Sequence, residues 1–298
     1  LAIVIPSKNY QNINICLNSI KKQTKKPGQT IIVFDKKKNF KNFKNFKKLL
    51  FSYTKTSNQV LQRNHALNMI DKKIKIILQL DDKFYLHKKA IENLVKEWNE
   101  SKEDVAGIGI KSNFLYENAD KYKFLKIITL TGTNKPGKVL ISGFNNKLIS
   151  NKKIIDVDWL QGGLSSWKLK NVPSIFNRKF PIIKWSILED LIFSYDIKFN
   201  KKFKLKMTNS LKAYVIKNKK TNIKINDFYL RGFEYAKMQK IFVYNNPLRL
   251  SKIAYYYSYI SSSCLGIIWA LFKFDKKIFF YFGRLVGMFA DIKNIRVL

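Results

Sequence analysis

The apolar run Ile74-Lys75-Ile76-Ile77-Leu78-Gln79-Leu80 ends on two adjacent carboxylates, Asp81-Asp82. A short run rich in Ile and Leu is expected as a buried strand, with the acidic pair at its carboxyl end. Open α/β sheets bind ligands in the crevice outside the carboxyl ends of their strands. Two neighbouring carboxylates repel each other there, and a divalent cation with attached phosphates relieves the repulsion. The dipeptide by itself also fits a solvated turn, so its meaning depends on what surrounds it.

The surroundings read as alternating strands and helices. Leu1 to Ile5 is expected as a buried strand ending at Pro6. A helix follows, capped by Ser7 or Asn9, with Ile13, Cys16, Leu17 and Ile20 at helical spacing. Pro27-Gly28 marks a turn, and Thr30 to Phe34 a second strand ending at Asp35. The Lys/Asn/Phe-rich stretch 36–48 fits either a basic amphipathic helix or a solvated loop. Asn58 to Ile70 is expected to be helical, with Leu61, Leu67 and Met69 as its apolar face. After the strand before Asp81 come a helix from His87 to Trp98 and a strand from Val105 to Ile110. This order implies an α/β fold with a mostly parallel sheet and helices on both faces.

Residues 114–151, with Gly132, Pro136, Gly137 and Gly143, are expected as loops and a short hairpin. Gly162-Gly163 interrupts the apolar stretch Asp156 to Trp167, and a helix is expected from Leu188 to Ile197. Phe203 to Met207 and Ala213 to Ile216 alternate like an exposed hairpin, and Asn226 to Val243 is helical. The domains expected are 1–225, divided into halves 1–112 and 113–225, and a helical region 226–298. In the latter, Ile253 to Phe272 carries no formal charge over 20 residues and is just long enough to span a bilayer. It is poor in Leu and rich in Ser and Tyr, and positive charge flanks both ends, so helices lying on the membrane interface are the preferred reading. Packing against the rest of the chain is the alternative.

The formal net charge is +37, which admits nucleic acid, an anionic membrane surface or an acidic substrate as partner. Only six of the 57 basic residues are Arg, and Lys, Asn, Ile, Phe and Tyr are all heavily used, as AT-rich coding favours. A dedicated nucleic-acid binder more often uses the planar fork of Arg, so nucleic acid is not the expected partner. Cys16 and Cys264 are too few for a disulfide framework or a Cys-based zinc motif, and both are expected to be reduced. His65 and His87 make no metal motif. The opening run stops at Pro-Ser-Lys-Asn and is not expected to be a signal peptide.

Taken in order, these segments resemble the family-2 glycosyltransferases, which have the GT-A fold. Leu1 to Asn9 is similar to the family's opening strand, implying that Pro6, Ser7 and Lys8 contact the nucleotide. Ile31-Ile32-Val33-Phe34-Asp35 resembles the strand whose acidic end, here Asp35, meets the base. Arg63-Asn64 resembles the segment beside the diphosphate and sugar. Leu80-Asp81-Asp82 is similar to the metal motif, which implies Asp82 on Mg²⁺ or Mn²⁺ and Asp81 on ribose or a metal-bound water. Gly162-Gly163 resembles an acceptor-side loop, and Trp185 to Leu191 is similar to the Glu-Asp motif in which Asp190 is the base and Glu189 an orienting residue. One of Trp159, Trp167 and Trp185 is a candidate to stack on an acceptor sugar, the others being core. Lys36 and Lys83 depart from the family pattern, since acidic residues are common at both positions.

The resemblance covers residues 1 to 200 or so. It implies an inverting, metal-dependent enzyme that moves a sugar from a nucleotide-diphospho-sugar, with UDP preferred, to a glycan or lipid-linked acceptor. Cell-surface polysaccharide synthesis at the cytoplasmic membrane face is the expected setting. Read alone, Asp190 is a first-turn acid favourable to a helix dipole. The alternative function is a non-catalytic basic protein that binds nucleic acid or anionic lipid on a degenerate fold of the same kind.

Overall fold

The computed structural model describes residues 1–8, 10–35, 49–55, 57–112, 122–148, 154–172, 186–216 and 224–291. Asn9, Lys36, Trp185 and the 36–48 stretch, all singled out above, lie outside the described residues. The chain divides into two compact units. The first comprises Leu1–Asn118, Leu148–Arg178 and Glu189–Asn218; the second comprises Ala119–Lys147, Lys179–Leu188 and Lys219–Leu298.

In the first unit, nine strands form one sheet: β1 (Ala2–Ser7), β2 (Gln29–Phe34), β3 (Leu49–Tyr53), β4 (Ile76–Leu80), β5 (Phe84–Leu86), β6 (Val105–Ser112), β7 (Ile154–Val157), β8 (Leu164–Lys168) and β9 (Lys204–Val215). Their spatial order is β3-β2-β1-β4-β8-β6-β9-β5, with β7 also paired to β9. The expected parallel order holds through β3-β2-β1-β4. Beyond β4 the sheet is mixed: β8 runs antiparallel to both β4 and β6, and β9 runs parallel to β6.

Side chains alternate across the strands and cover both faces. Ile3 and Ile5 of β1 join Ile13, Cys16, Leu17 and Ile20 of α1 (Tyr10–Lys21) and Leu94 and Trp98 of α3 (Ala90–Asn99) in one core. Ala2 and Ile77 lie in a second core with Trp167, Phe193 and Ile197. Val4, Ile31 and Val33 pack with Ala66 of α2 (Gln59–Leu67). A sheet buried on both faces explains why β1 and β2 read as continuous apolar runs. Cys16 is fully buried and its thiol pKa is pushed up by desolvation.

Several expectations are corrected. β1 continues through Pro6 to Ser7. Its ladder to β4 ends at Val4, so a residue without an N–H is tolerated beyond that point. The two segments read as an exposed hairpin are one 12-residue strand, β9, with a register shift opposite Ile110/Lys111. Its polar centre, Thr208-Asn209-Ser210, is where the alternation breaks, and Thr208 is buried there, bonded to Glu97 of α3. The fully buried residues of α2 are Val60, Gln62, Arg63 and Ala66, while the expected apolar residues Leu67 and Met69 pack, partly buried, against the cores. Asn58 caps α2 by accepting from the Val60 and Leu61 amides. α5 (Glu189–Tyr195) continues as a π turn, Asp196–Asn200.

The described part of the second unit holds α4 (Lys123–Ile128), α6 (Ile225–Tyr244), α7 (Lys252–Phe272) and α8 (Ile278–Gly287). α6 and α8 touch backbone to backbone. A Cβ added at Gly232 would lie 2.0 Å from the Phe280 carbonyl, and one at Gly283 would lie 2.1 Å from that of Tyr229. Buried hydroxyls fix α7: Tyr255 donates to Ala236 O and Tyr259 to Gln239 Oε1, each at 2.9 Å. Tyr257 reaches the end of α4, donating to Ile128 O at 3.1 Å. α4 itself was not expected within the 114–151 loop region, where the expected short hairpin is formed by the bridge Val139↔Asn145 and the flanking backbone bonds Asn146 N–H to Lys138 O, Leu140 N–H to Phe144 O and Gly137 N–H to Lys147 O. No helix among the described residues is long and apolar enough to cross a membrane. At 21 residues α7 has the length, but its Ser and Tyr residues lower its hydropathy.

Candidate active site

The parallel register brings the carboxyl ends of β1, β2 and β4 to one edge, and with them Ser7, Asp35 and the Asp81-Asp82 pair. α2 packs behind this edge. Its Gln62 amide donates to Val33 O at 3.0 Å and to Ser7 O at 3.4 Å, tying the ends of β1 and β2 together. Gln62 Oε1 finds no partner among the described residues.

The two aspartates diverge. Asp82, half-buried, accepts on Oδ2 from the Ser7 hydroxyl at 2.7 Å and from the Lys8 amide at 3.3 Å. It lines a cavity of about 240 Å³ together with Pro6, Ser7, Lys8, Gln62 and Lys83. Asp81 turns inward. Its Oδ1 meets Arg63 Nη2 at 3.1 Å and its Oδ2 meets Lys83 Nζ at 3.1 Å. Lys83, a departure from the family pattern, thus acts as an ion-pair partner of Asp81.

Arg63 is 2% exposed and bridges two carboxylates: its Nη1 pairs with Glu189 at the start of α5 while its Nη2 holds Asp81. Two buried carboxylates on one buried guanidinium form a charge-assisted network. Burial pushes the Glu189 carboxyl up to about 7, against the pull of Arg63. Asp190, next on the helix, is held differently. The Gly162 amide donates to its Oδ2 at 3.1 Å and its neighbour Leu191 to its Oδ1 at 2.9 Å. Burial raises its pKa, and those two N–H groups favour the charged form. Asp190 remains half-buried, whereas Glu189 is turned into the ion-pair network.

The glycine pair is what allows this convergence. Gly163 accepts from the Asp81 amide at 2.9 Å, just before β8 pairs with β4. A Cβ at Gly163 would lie 2.2 Å from the Asp81 carboxyl, and one at Gly162 would lie 2.5 Å from Glu189 Oε1. Both separations are inside van der Waals contact, so only glycine lets the β8 loop lie against the carboxylates. Leu188, immediately before α5, has φ +59°, a left-handed conformation that is strained for leucine.

Other candidates lie farther back or elsewhere. Asp35 directly follows β2, and Asn64 follows Arg63 on α2, half-buried; neither lines the cavity. Trp167 is core, its ring edge-on to Phe193 at 4.8 Å and its indole N–H on Ser165. Trp159 packs, partly buried, against the same core. His65 bonds Ser52 at 2.6 Å. Gln62, Asn12 and Gln59 line the cavity without having been singled out; a polar residue on the inward side of a helix is invisible to apolar periodicity.

Hard oxygen donors at the cavity edge suit Mg²⁺ or Mn²⁺. Among the described residues no three His, Cys, Asp or Glu side chains converge. A cation whose other positions go to phosphate and water needs only one or two carboxylates, and Asp82 is the one that lines the cavity.

The network also gives a pH signature. The native pKa of Glu189, about 7, lies above its ordinary value of 4.5. Its contribution to stability is therefore full below 4.5 and lost as pH rises through about 7. Urea midpoints measured across this window should fall more steeply for the wild type than for Glu189→Gln. Parallel curves would show that Glu189 does not titrate in this range.

A sheet with a parallel half that becomes mixed beyond β4, with helices on its faces, is an α/β fold of the GT-A kind. The family description "Glycosyl transferase family 2" matches residues 2–155, just over half the chain, and the chain belongs to that family. Solved structures share the fold at low identity. A mannosyltransferase from Pyrobaculum calidifontis, in complex with GDP-Man and Mn²⁺, aligns at 12% identity with a TM-score of 0.56, over 98% of this chain and 87% of that one. S. aureus TarS 1-349 in complex with UDP-GlcNAc aligns at 16% identity and TM-score 0.53, over 82% of this chain; this chain spans 66% of its length. GalNAc-T7 with UDP, GalNAc and Mn²⁺ aligns at 11% identity and TM-score 0.52, over 82% of this chain and 50% of that one. No curated protein matches by sequence.

Proposed function

We propose that this glycosyltransferase is inverting and metal-dependent, with Asp190 as the base. The observation that carries the proposal is the division of labour among four carboxylates: Asp82 at the cavity, Asp81 and Glu189 clamped on Arg63, and Asp190 presented by two backbone amides. Asp190 accepts the proton of the attacking acceptor hydroxyl as it approaches the anomeric carbon. The Arg63 network fixes the start of α5, and with it the Asp190 carboxylate. Ser7 and the Lys8 amide orient Asp82, and Gln62 holds β1 and β2 so that Ser7, Lys8 and Asp35 face the nucleotide. A divalent cation held by Asp82 would supply Lewis-acid neutralisation of the departing diphosphate. Asp81 reaches ribose or a metal-bound water when the half-exposed Lys83 swings away from it.

UDP is the preferred nucleotide, in keeping with the UDP and UDP-GlcNAc complexes of two of the fold's relatives, although a third holds GDP-Man. Gly162, Gly163 and Trp185 belong to the acceptor side, and the acceptor is a glycan or lipid-linked glycan of a surface polysaccharide. The enzyme works at the cytoplasmic face of the membrane, held peripherally by its lysine-rich, apolar-surfaced C-terminal helices. Direct displacement by an acceptor inverts the anomeric centre. Proton NMR of the sugar first released to water from an α-linked UDP-sugar should show the β anomer before mutarotation. Initial release of the α anomer would overturn the inverting assignment.

A further inference from the structure

In the second unit, α7 ends in a turn that leads into α8. The Asp275 amide donates to Ala270 O at 2.9 Å and the Phe274 amide to Leu271 O at 3.2 Å, the paired bonds that close a helix when the residue past its end is left-handed. Glycine is the usual residue there, because it enters the left-handed region without steric cost. Here the residue is Phe274, with φ +49°. Its side chain is 97% exposed, so no packing among the described residues offsets the strain. A position that bears both backbone strain and apolar exposure points to a contact outside the chain.

The surroundings are of the same kind. Ile268, Leu271 and Phe272 are exposed on the last turns of α7, Phe272 to 81%, and Phe279 and Phe282 are exposed one turn apart on α8. α7 has no formal charge between Lys252 and Lys273, so its exposed side lacks the charged residues of an ordinary solvent-facing helix. Charge begins at the turn itself. Asp275 is the one acid of the turn, and Lys277 pairs with it at 3.2 Å. Lys273 and Lys276, both exposed, have no acid partner among the described residues.

An apolar tip collared by net positive charge complements the anionic face of a bilayer. Aromatic and aliphatic side chains enter the acyl boundary while the lysines stay among the head groups. A second copy of the chain fits less well, since a symmetric contact would set the same lysines against each other.

We propose that the α7–α8 turn, led by Phe274, is the element that inserts into an anionic membrane interface. This rests on the peripheral attachment proposed above and narrows it: the contact is the end of the helical pair, not the length of α7 laid along the surface.

The test is co-sedimentation with vesicles of phosphatidylglycerol and phosphatidylcholine, using Phe274→Gly as the variant. Glycine suits a left-handed position, so the variant should unfold at a slightly higher temperature than the wild type. Its vesicle affinity should nonetheless fall about tenfold, the effect of losing one buried aromatic ring. Opposite signs of the two effects separate a membrane contact from a role in the fold. Vesicles of phosphatidylcholine alone should bind the wild type several-fold more weakly. Unchanged affinity in Phe274→Gly would overturn the assignment of the turn while leaving peripheral attachment in place, and a wild type that binds neither vesicle would overturn both. Equal binding to phosphatidylcholine alone would overturn the anionic partner. A wild type dimeric by light scattering, with Phe274→Gly monomeric, would give the surface to a second copy and overturn the proposal.

Discussion

Asp190→Asn is expected to lower sugar transfer by a factor of about 10²–10⁴, the usual worth of a positioned general base. Asparagine keeps the size of the side chain and one oxygen to accept from the Gly162 or Leu191 amide, so the loop and helix start should hold. Donor affinity should be nearly unchanged, because the cavity at Asp82, the proposed donor site, is lined by β1, Lys8, α1, α2 and the Asp82-Lys83 turn and not by Asp190. The effect should therefore fall on kcat and spare the donor KM. Glu189→Gln provides the contrast. It removes a charge that Arg63 holds and should lower the rate while sparing stability above pH 7, because Glu189 is proposed to act on Asp190 only through the position of α5. Turnover of Asp190→Asn within a few-fold of wild type would remove Asp190 from the proton-transfer role.

Arg63→Ala should cost about 3–5 kcal/mol of stability, the range seen when one partner of a buried ion pair is deleted. It leaves Asp81 and Glu189, both less than a tenth exposed, without their shared cation. Arg63→Lys should recover only part of the loss, because an ammonium is a point charge and cannot bridge the two carboxylates as a planar fork does. The same network is expected to break from the other side in Gly163→Ala, whose methyl would lie 2.2 Å from the Asp81 carboxyl and displace it. Denaturant unfolding of the three variants reads all of this. Full stability in Arg63→Ala would mean that the carboxylates find other partners and that the network does not organise the site.

These positions also show where a sequence reading works and where it stops. β1, β2, β4 and α1 were legible because their apolar residues follow the sheet's alternation or the helix period, and the strand-end residues Ser7, Asp35 and Asp81-Asp82 came with them. β3 was missed: it is an edge strand with no fully buried residue, directly after the 36–48 stretch. β9 looked like two strands because a bulge interrupts it with polar residues whose bonds to Glu97 are long-range. On α2 the expected apolar residues Leu67 and Met69 do pack against the cores, but its most buried polar residues were not foreseen, for a related reason. Its inward side carries Gln62 and Arg63, and a buried polar side chain is favourable only through partners on β1, β2, β4 and α5 that lie far away in sequence. Resemblance placed Gly162-Gly163 on the acceptor side. That the pair must be glycine because the Asp81 and Glu189 carboxylates press against it is a fact of packing. Nothing in the sequence marked Arg284, whose stacking on the rings of Phe144 and Tyr259 appears only once the helices are packed together.

The central claim is a nucleotide-sugar donor site whose metal rests on Asp82. Its most direct test is the thermal stability of wild type and Asp82→Ala with UDP, GDP or TDP, each with and without Mn²⁺. The account requires that one nucleotide, with UDP foremost, raise the wild-type midpoint only when Mn²⁺ is present, and that the rise disappear in Asp82→Ala. A folded wild type indifferent to every nucleotide, or an Asp82→Ala variant that responds as the wild type does, would contradict it.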